Sequence, residues 1–227
     1  NNTAVGYFSL SSNTTGAHNT GLGRSALAAN TTADNNTAVG SNALIVNTTG
    51  ASNTAVGMQA LSANTTATGN TSVGRSSMQS TTTGASNVAM GLYALYTNTT
   101  GGSNTAIGKD ALLANETASR NVGVGHDSLT ANTAGADNVG VGDSALAANT
   151  TASNNTALGS AALQANTTGT ANTGVGRAAL NANTTASNNT AVGYYALLAN
   201  TTGTGNTAVG TSAGAAVTTG SNNTIVG

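Results

Sequence analysis

The sequence predicts an all-β fold, a parallel β-solenoid built from 17-residue coils, and three observations predict it. An Asn followed four residues later by a Gly recurs at Asn2/Gly6, Asn19/Gly23, Asn36/Gly40 and onward to Asn223/Gly227, every step being 17 residues. Leu, Val, Ile and Phe make up only 35 of the 227 residues, about 15%, below the roughly 20% at which ordinary globular packing becomes doubtful. Yet the net charge is -1 and there is no Pro, whereas disordered chains couple an apolar deficit with high charge. A chain that is neither globular nor disordered is ordered by stacking each repeat on the next.

The period divides residues 1–227 into a single repeat domain: thirteen full units from Asn2, Asn1 in front, and a partial fourteenth unit over 223–227. We read it as a segment of a longer fibre. The unit runs Asn-Thr-Ala-Val-Gly-x-x-Ala-Leu-x-Ala-Asn-Thr-Thr-Gly/Ala-x-x, and its residues are numbered below by their place in it. Thr-Ala-Val lies between turn formers and predicts a short strand. The following x-Ala-Leu-x-Ala is too short for a helix, because nucleation is costly, and is expected to form a second short strand or extended side, a single helical turn being the alternative. Place four is always large and apolar, from Val5 to Val226, and place nine is Leu or Met in twelve of thirteen units, with Gly214 the exception. Both ranks are expected to face inward. Ten of the 11 charged residues fall at places six, seven, sixteen and seventeen, Glu116 alone lying elsewhere, so charge belongs at corners or outside.

Stacking accounts for the invariant polar residues. Asn at place one and, in eleven of thirteen units, at place twelve can form amide ladders between coils. The invariant Gly at place five supplies positive φ or close backbone approach. At a strand spacing of ~4.8 Å, thirteen coils would make a rod of roughly 60 Å. One coil offers only two large apolar side chains and there are no cysteines to staple it, so part of the surface is expected to be buried against other copies, in a homotrimer or a self-stacking filament.

The unit resembles the head repeats of YadA-like trimeric autotransporter adhesins. The residues that carry the resemblance are Asn53-Thr54-Ala55-Val56-Gly57-Met58-Gln59-Ala60 and Asn206-Thr207-Ala208-Val209-Gly210-Thr211-Ser212-Ala213, with Gly50 or Gly203 as the second Gly of the motif. Similar Asn-Thr-Ala-Val-Gly units occur in phage and bacterial tail-fibre repeat proteins. The resemblance implies a left-handed β-roll, a homotrimer, and an extracellular, cell-surface or virion fibre that works by adhesion or spacing. This unit is about three residues longer than the adhesin repeat, the addition being Asn-Thr-Thr, which bears on handedness and on the trimer contact.

Composition excludes several functions. Five cations over 227 residues cannot supply the clustered charge that nucleic acid requires, and no apolar run approaches the ~20 residues of a membrane span, so neither nucleic acid nor membrane insertion is expected. Without cysteine there are no thiolate metal sites. Gly21-Leu22-Gly23-Arg24-Ser25-Ala26, Gly140-Val141-Gly142-Asp143-Ser144-Ala145 and Gly174-Val175-Gly176-Arg177-Ala178-Ala179 match a dinucleotide fingerprint, but no βαβ unit accompanies them and the repeat explains their glycines; no cofactor is expected. His18 and His126 lie more than six coils apart, Asp127 beside His126 reads as a solvated corner, and Asp34, Asp110, Asp137 and Asp143 follow no ligand spacing, so no catalytic or metal site is assigned.

Two sets of candidate contact residues remain beside the expected structural role. Tyr93, Tyr96, Tyr194 and Tyr195 sit at variable places, where exposed rings serve in interfaces or stack on a host-surface glycan or receptor; a lectin is therefore one alternative. Thr14, Thr31, Thr48, Thr65, Thr82 and Thr99 belong to a rank at place thirteen that would present a regular array of hydroxyls and methyls, the basis of an ice-binding alternative. The Asn-Thr-Thr element also creates glycosylation sequons, as at Asn13, Asn30 and Asn64.

Overall fold

The computed structural model describes residues 1–227 and is a parallel β-solenoid with a coil of 17 residues and no helix. The chain forms two compact units, Asn1–Thr117 and Ala118–Gly227. In the first, the strands are β1 (Thr3–Val5), β2 (Thr20–Leu22), β3 (Thr37–Val39), β4 (Thr54–Val56), β5 (Thr71–Val73), β6 (Val88–Met90) and β7 (Thr105–Ile107). In the second they are β8 (Val122–Val124), β9 (Val139–Val141), β10 (Thr156–Leu158), β11 (Thr173–Val175), β12 (Thr190–Val192), β13 (Thr207–Val209) and β14 (Thr224–Val226). Within each unit every strand pairs in parallel with the next in sequence, in register at 17 residues: Thr37 lies opposite Thr54 and Ala38 opposite Ala55, as Ala191 lies opposite Ala208.

The strand's orientation reverses one expectation. Ala at place three points into the coil and is fully buried at Ala38, Ala55, Ala106, Ala157 and Ala191. Successive residues of a strand face opposite ways, so Thr at place two and the bulky residue at place four both point out: Leu22 is 46% exposed, Met90 42% and Val209 43%. The inward rank is the one at place nine, where Leu27, Leu44, Leu61, Leu95, Leu146 and Leu180 are fully buried. The coil is too thin to hold both ranks. A Cβ at Gly174, a place-three glycine, would sit 3.4 Å from Leu163 Cγ of the preceding coil, so the leucine already fills the space across from the strand and only a small residue fits there.

The second side is also not a strand. It is a run of turns, in which the amide of place eight donates to the carbonyl of place five (Ala26 to Gly23, 3.3 Å) and that of place twelve to place nine (Asn30 to Leu27, 3.1 Å). Coils are nonetheless laddered here, because the amide of Leu27 donates to Ala43 O at 3.1 Å and that of Ala29 to Ile45 O at 3.0 Å. The turns require positive φ at places seven and nine, so each buried leucine sits in the left-handed region, Leu27 at 52° and Leu146 at 53°. Such a conformation costs a non-glycine residue roughly 1–2 kcal/mol, which the burial of a Leu side chain, worth about 1.5–3 kcal/mol, offsets.

Two buried Asn ranks hold the corners as expected. At place one, Asn36 Oδ1 accepts the backbone amide of Asn53 (2.9 Å), while its Nδ2 donates to Gly50 O (2.9 Å). At place twelve, Asn47 Nδ2 donates both to Asn30 Oδ1 (3.0 Å) and to Gly50 O (2.9 Å). These bonds satisfy groups that burial would otherwise penalise. The place-five glycine is required on both counts foreseen: Gly40 has φ of +134°, and a Cβ there would lie 2.5 Å from Gly57 O.

Candidate functional site

The 17-residue stack decides which side chains meet on the outside. Tyr93 and Tyr96 stand at places seven and ten of one coil, so Asp110 and Leu113 stand beneath the same places of the next. Together with Thr97 these residues line a cleft of about 540 Å³. The two rings meet edge to face, with centroids 5.3 Å apart and planes at 82°. Thr97 donates its hydroxyl to Leu113 O at 2.8 Å. Lys109 Nζ lies 2.9 Å from Asp110 Oδ2. A second cleft of about 520 Å³ runs over Asn42, Ile45, Val46, Gln59 and Gln79 on the same turn side.

The other tyrosine pair, in the second unit, is arranged differently. Tyr194 and Tyr195 are 4.0 Å apart and tilted by 40°. Arg177, one coil earlier, donates Nη1 to both phenol oxygens at 3.0 and 2.8 Å, and its guanidinium carbon lies 5.7 and 5.5 Å from the two ring centroids. Hydrogen bonds from Tyr194 and then Arg177 lower the Tyr195 hydroxyl below an ordinary phenol, while Tyr194 is raised, chiefly by its bond to Tyr195. The guanidinium thus engages both phenol oxygens that a polar ligand would need.

The rank at place thirteen is largely committed to the coil. Thr14, Thr31, Thr48, Thr65 and Thr82 each donate their hydroxyl to the carbonyl of the Thr 17 residues on, at 3.0 to 3.4 Å, and Thr99 donates to Glu116 O at 3.0 Å. Their protons therefore point along the stack. Of the sequons, Asn30 and Asn64 are buried and use Nδ2 as a donor; Asn13 likewise donates Nδ2 to Gly16 O.

His126 is half exposed, its Nδ1 3.3 Å from an oxygen of Asp127 and 3.3 Å from one of Asp143. His18 is an exposed corner residue. The dinucleotide-like glycines belong to the strand and its following turn, with Gly21, Gly140 and Gly174 at place three facing the leucine rank.

A further surface feature, present in each unit, is the outward face of the strands. Place two is Thr or Val and place four is Val, Leu, Ile or Met throughout, with no charge at either. Sequence reasoning assigned the place-four rank to the interior and so missed this face. It also missed Asp110, Leu113 and Arg177, although adding 17 to Tyr93, Tyr96 and Arg177 finds the partner in each case. No protein-family model, no curated protein and no solved structure matches this chain.

Proposed function

We propose that this chain is a non-enzymatic structural module of an extracellular fibre, on a cell surface or virion, which assembles with copies of itself, as a homotrimer, through the outward face of its strands. The observation that carries the reading is the exposed rank at place four: Leu22, Met90, Ile107, Leu158, Val192 and Val209 are each between 37% and 46% exposed. Contiguous apolar surface of this kind marks an interaction site. A second copy is the partner it fits, because two copies share one spacing, and ridges formed by one rank meet grooves of the same pitch along its length. The absence of charge from places two and four removes the repulsion that would oppose such pairing. Function in this reading is mechanical: repeated coils set a spacer's length or present an adhesive head.

Light scattering coupled to size-exclusion chromatography tests it. The wild-type chain is expected to elute as three chains per particle, and Leu22→Lys combined with Met90→Lys, Leu158→Lys and Val192→Lys to elute as one, with unchanged circular dichroism. A wild-type monomer at the highest soluble concentration overturns the proposal.

A further inference from the structure

We propose that the cleft formed by Tyr93, Tyr96, Thr97, Asp110 and Leu113 is a saccharide-binding subsite. A sugar ring has an apolar face of C–H bonds and a rim of hydroxyls, and this cleft offers a counterpart to each. The tyrosines meet edge to face, 82° apart, so rings of two orientations line the cleft and one face can serve as a floor. An aromatic face is negative and a polarised C–H is positive, so the sugar's apolar face rests on the floor. Leu113 and Thr97 complete the lining. The rim is met by the two phenol hydroxyls, which donate or accept, and by the Asp110 carboxylate, an acceptor that also pairs with Lys109. At about 540 Å³ the cleft has the size of a small-ligand site, roughly 300–1,000 Å³.

The same geometry separates a saccharide from a quaternary ammonium, the other ligand that aromatic rings beside a carboxylate suggest. Lys109, 2.9 Å from Asp110, competes with any ligand cation for that carboxylate. A neutral polyol needs only the acceptor. The tyrosines of the second unit provide an internal control, because Arg177 already bonds both phenol oxygens that would meet a sugar's hydroxyls. The inference does not depend on self-association through the strand face, which lies on other places of the coil.

The test uses the full chain with maltotriose, chitotriose, lactose, 3′-sialyllactose and choline as probes, read by saturation-transfer NMR and calorimetry. At least one saccharide is expected to bind with a Kd of roughly millimolar order, with magnetisation transferred to the C–H protons of one sugar face. Tyr96→Ala and Asp110→Asn are each expected to weaken it by about tenfold or more, and Tyr194→Ala to leave it unchanged. Both positions lie outside the leucine and Asn ranks, so the fold is expected to survive; circular dichroism checks this, and Asp110→Asn stands alone should Tyr96→Ala unfold. Absence of binding by all four saccharides, binding of choline alone, or saccharide binding insensitive to both cleft variants overturns the proposal.

Discussion

Ile225 occupies the space that Gly214 leaves empty. Place nine holds a leucine or methionine in every other full unit, and place three, which it packs against one coil later, holds Ala, Gly or Ser; only here does the large residue come from the strand. A Cβ on Gly214 would lie 2.8 Å from Ile225 Cδ1 and 3.0 Å from Leu197 Cδ2. The glycine also takes the left-handed φ of 62° without the strain its leucine counterparts bear.

The exchange predicts a coupled pair. Gly214→Leu alone overpacks and Ile225→Ala alone leaves a void, each costing about 1–3 kcal/mol. Together they restore the ordinary arrangement, so the double variant is expected to be more stable than either single one. Denaturant unfolding of the four proteins measures the coupling, and additive losses would refute the packing.

The place-twelve ladder is broken where Asn is replaced by Thr81 and by Val217. In each case the preceding asparagine, Asn64 or Asn200, has a buried Oδ1 without a donor. Thr81→Asn and Val217→Asn supply the missing Nδ2 and should each stabilise the fold by about 1 kcal/mol, seen as a raised unfolding midpoint. A lowered midpoint in both would contradict the ladder.

Sequons divide by burial. Asn30 is buried with Nδ2 donating to Asn13 Oδ1 and Ala33 O, whereas Asn35, which begins Asn35-Asn36-Thr37, is exposed. Expressed in a host that N-glycosylates, the folded fraction is expected to carry glycan at Asn35 and none at Asn30. Glycopeptide mapping decides it, and occupied Asn30 in folded protein would be incompatible with the coil.

Arg120 donates Nε and Nη2 to the two oxygens of Asp137, at 2.6 and 2.9 Å, and these bonds hold the Asp137 carboxyl below its usual range. A depressed folded pKa gives stability that is present above the unfolded value of about 3.9 and is lost as pH falls through the folded value. The midpoints of wild type and Asp137→Asn should therefore differ slightly above about pH 4 and converge in acid. The pair is solvent-exposed, so added salt should shrink the difference; a gap that widens in acid would reverse the assignment.

Much of this architecture is legible in the sequence because the period carries it. Invariant Asn2, Asn19 and Asn36 give the ladder, and Gly40 gives the forced turn. What misleads is the apolar character of Val39, which suggests an interior place that Ala38 takes instead. The reason is parity: once Leu44 and its equivalents fill the thin coil, a three-residue strand can bury only its middle residue, and Thr37 and Val39 must both face out. The second side reads as a strand because leucine rarely adopts positive φ, so nothing local announces the turn that Leu44 makes at 49°. Of the cleft, Tyr93 and Tyr96 were visible as aromatics at variable places. Their neighbours emerge only when the period is applied to corners as well as to the core.

Asn-to-Asn hydrogen bonds and the leucine rank link each coil only to its immediate neighbours, and no contact is reserved for a distant partner. A gene encoding such a chain can therefore gain or lose blocks of seventeen codons by unequal recombination, and the ranks on either side of the join meet again in phase. An insertion of any other size must loop out at a turn or place a corner residue where an asparagine amide is needed.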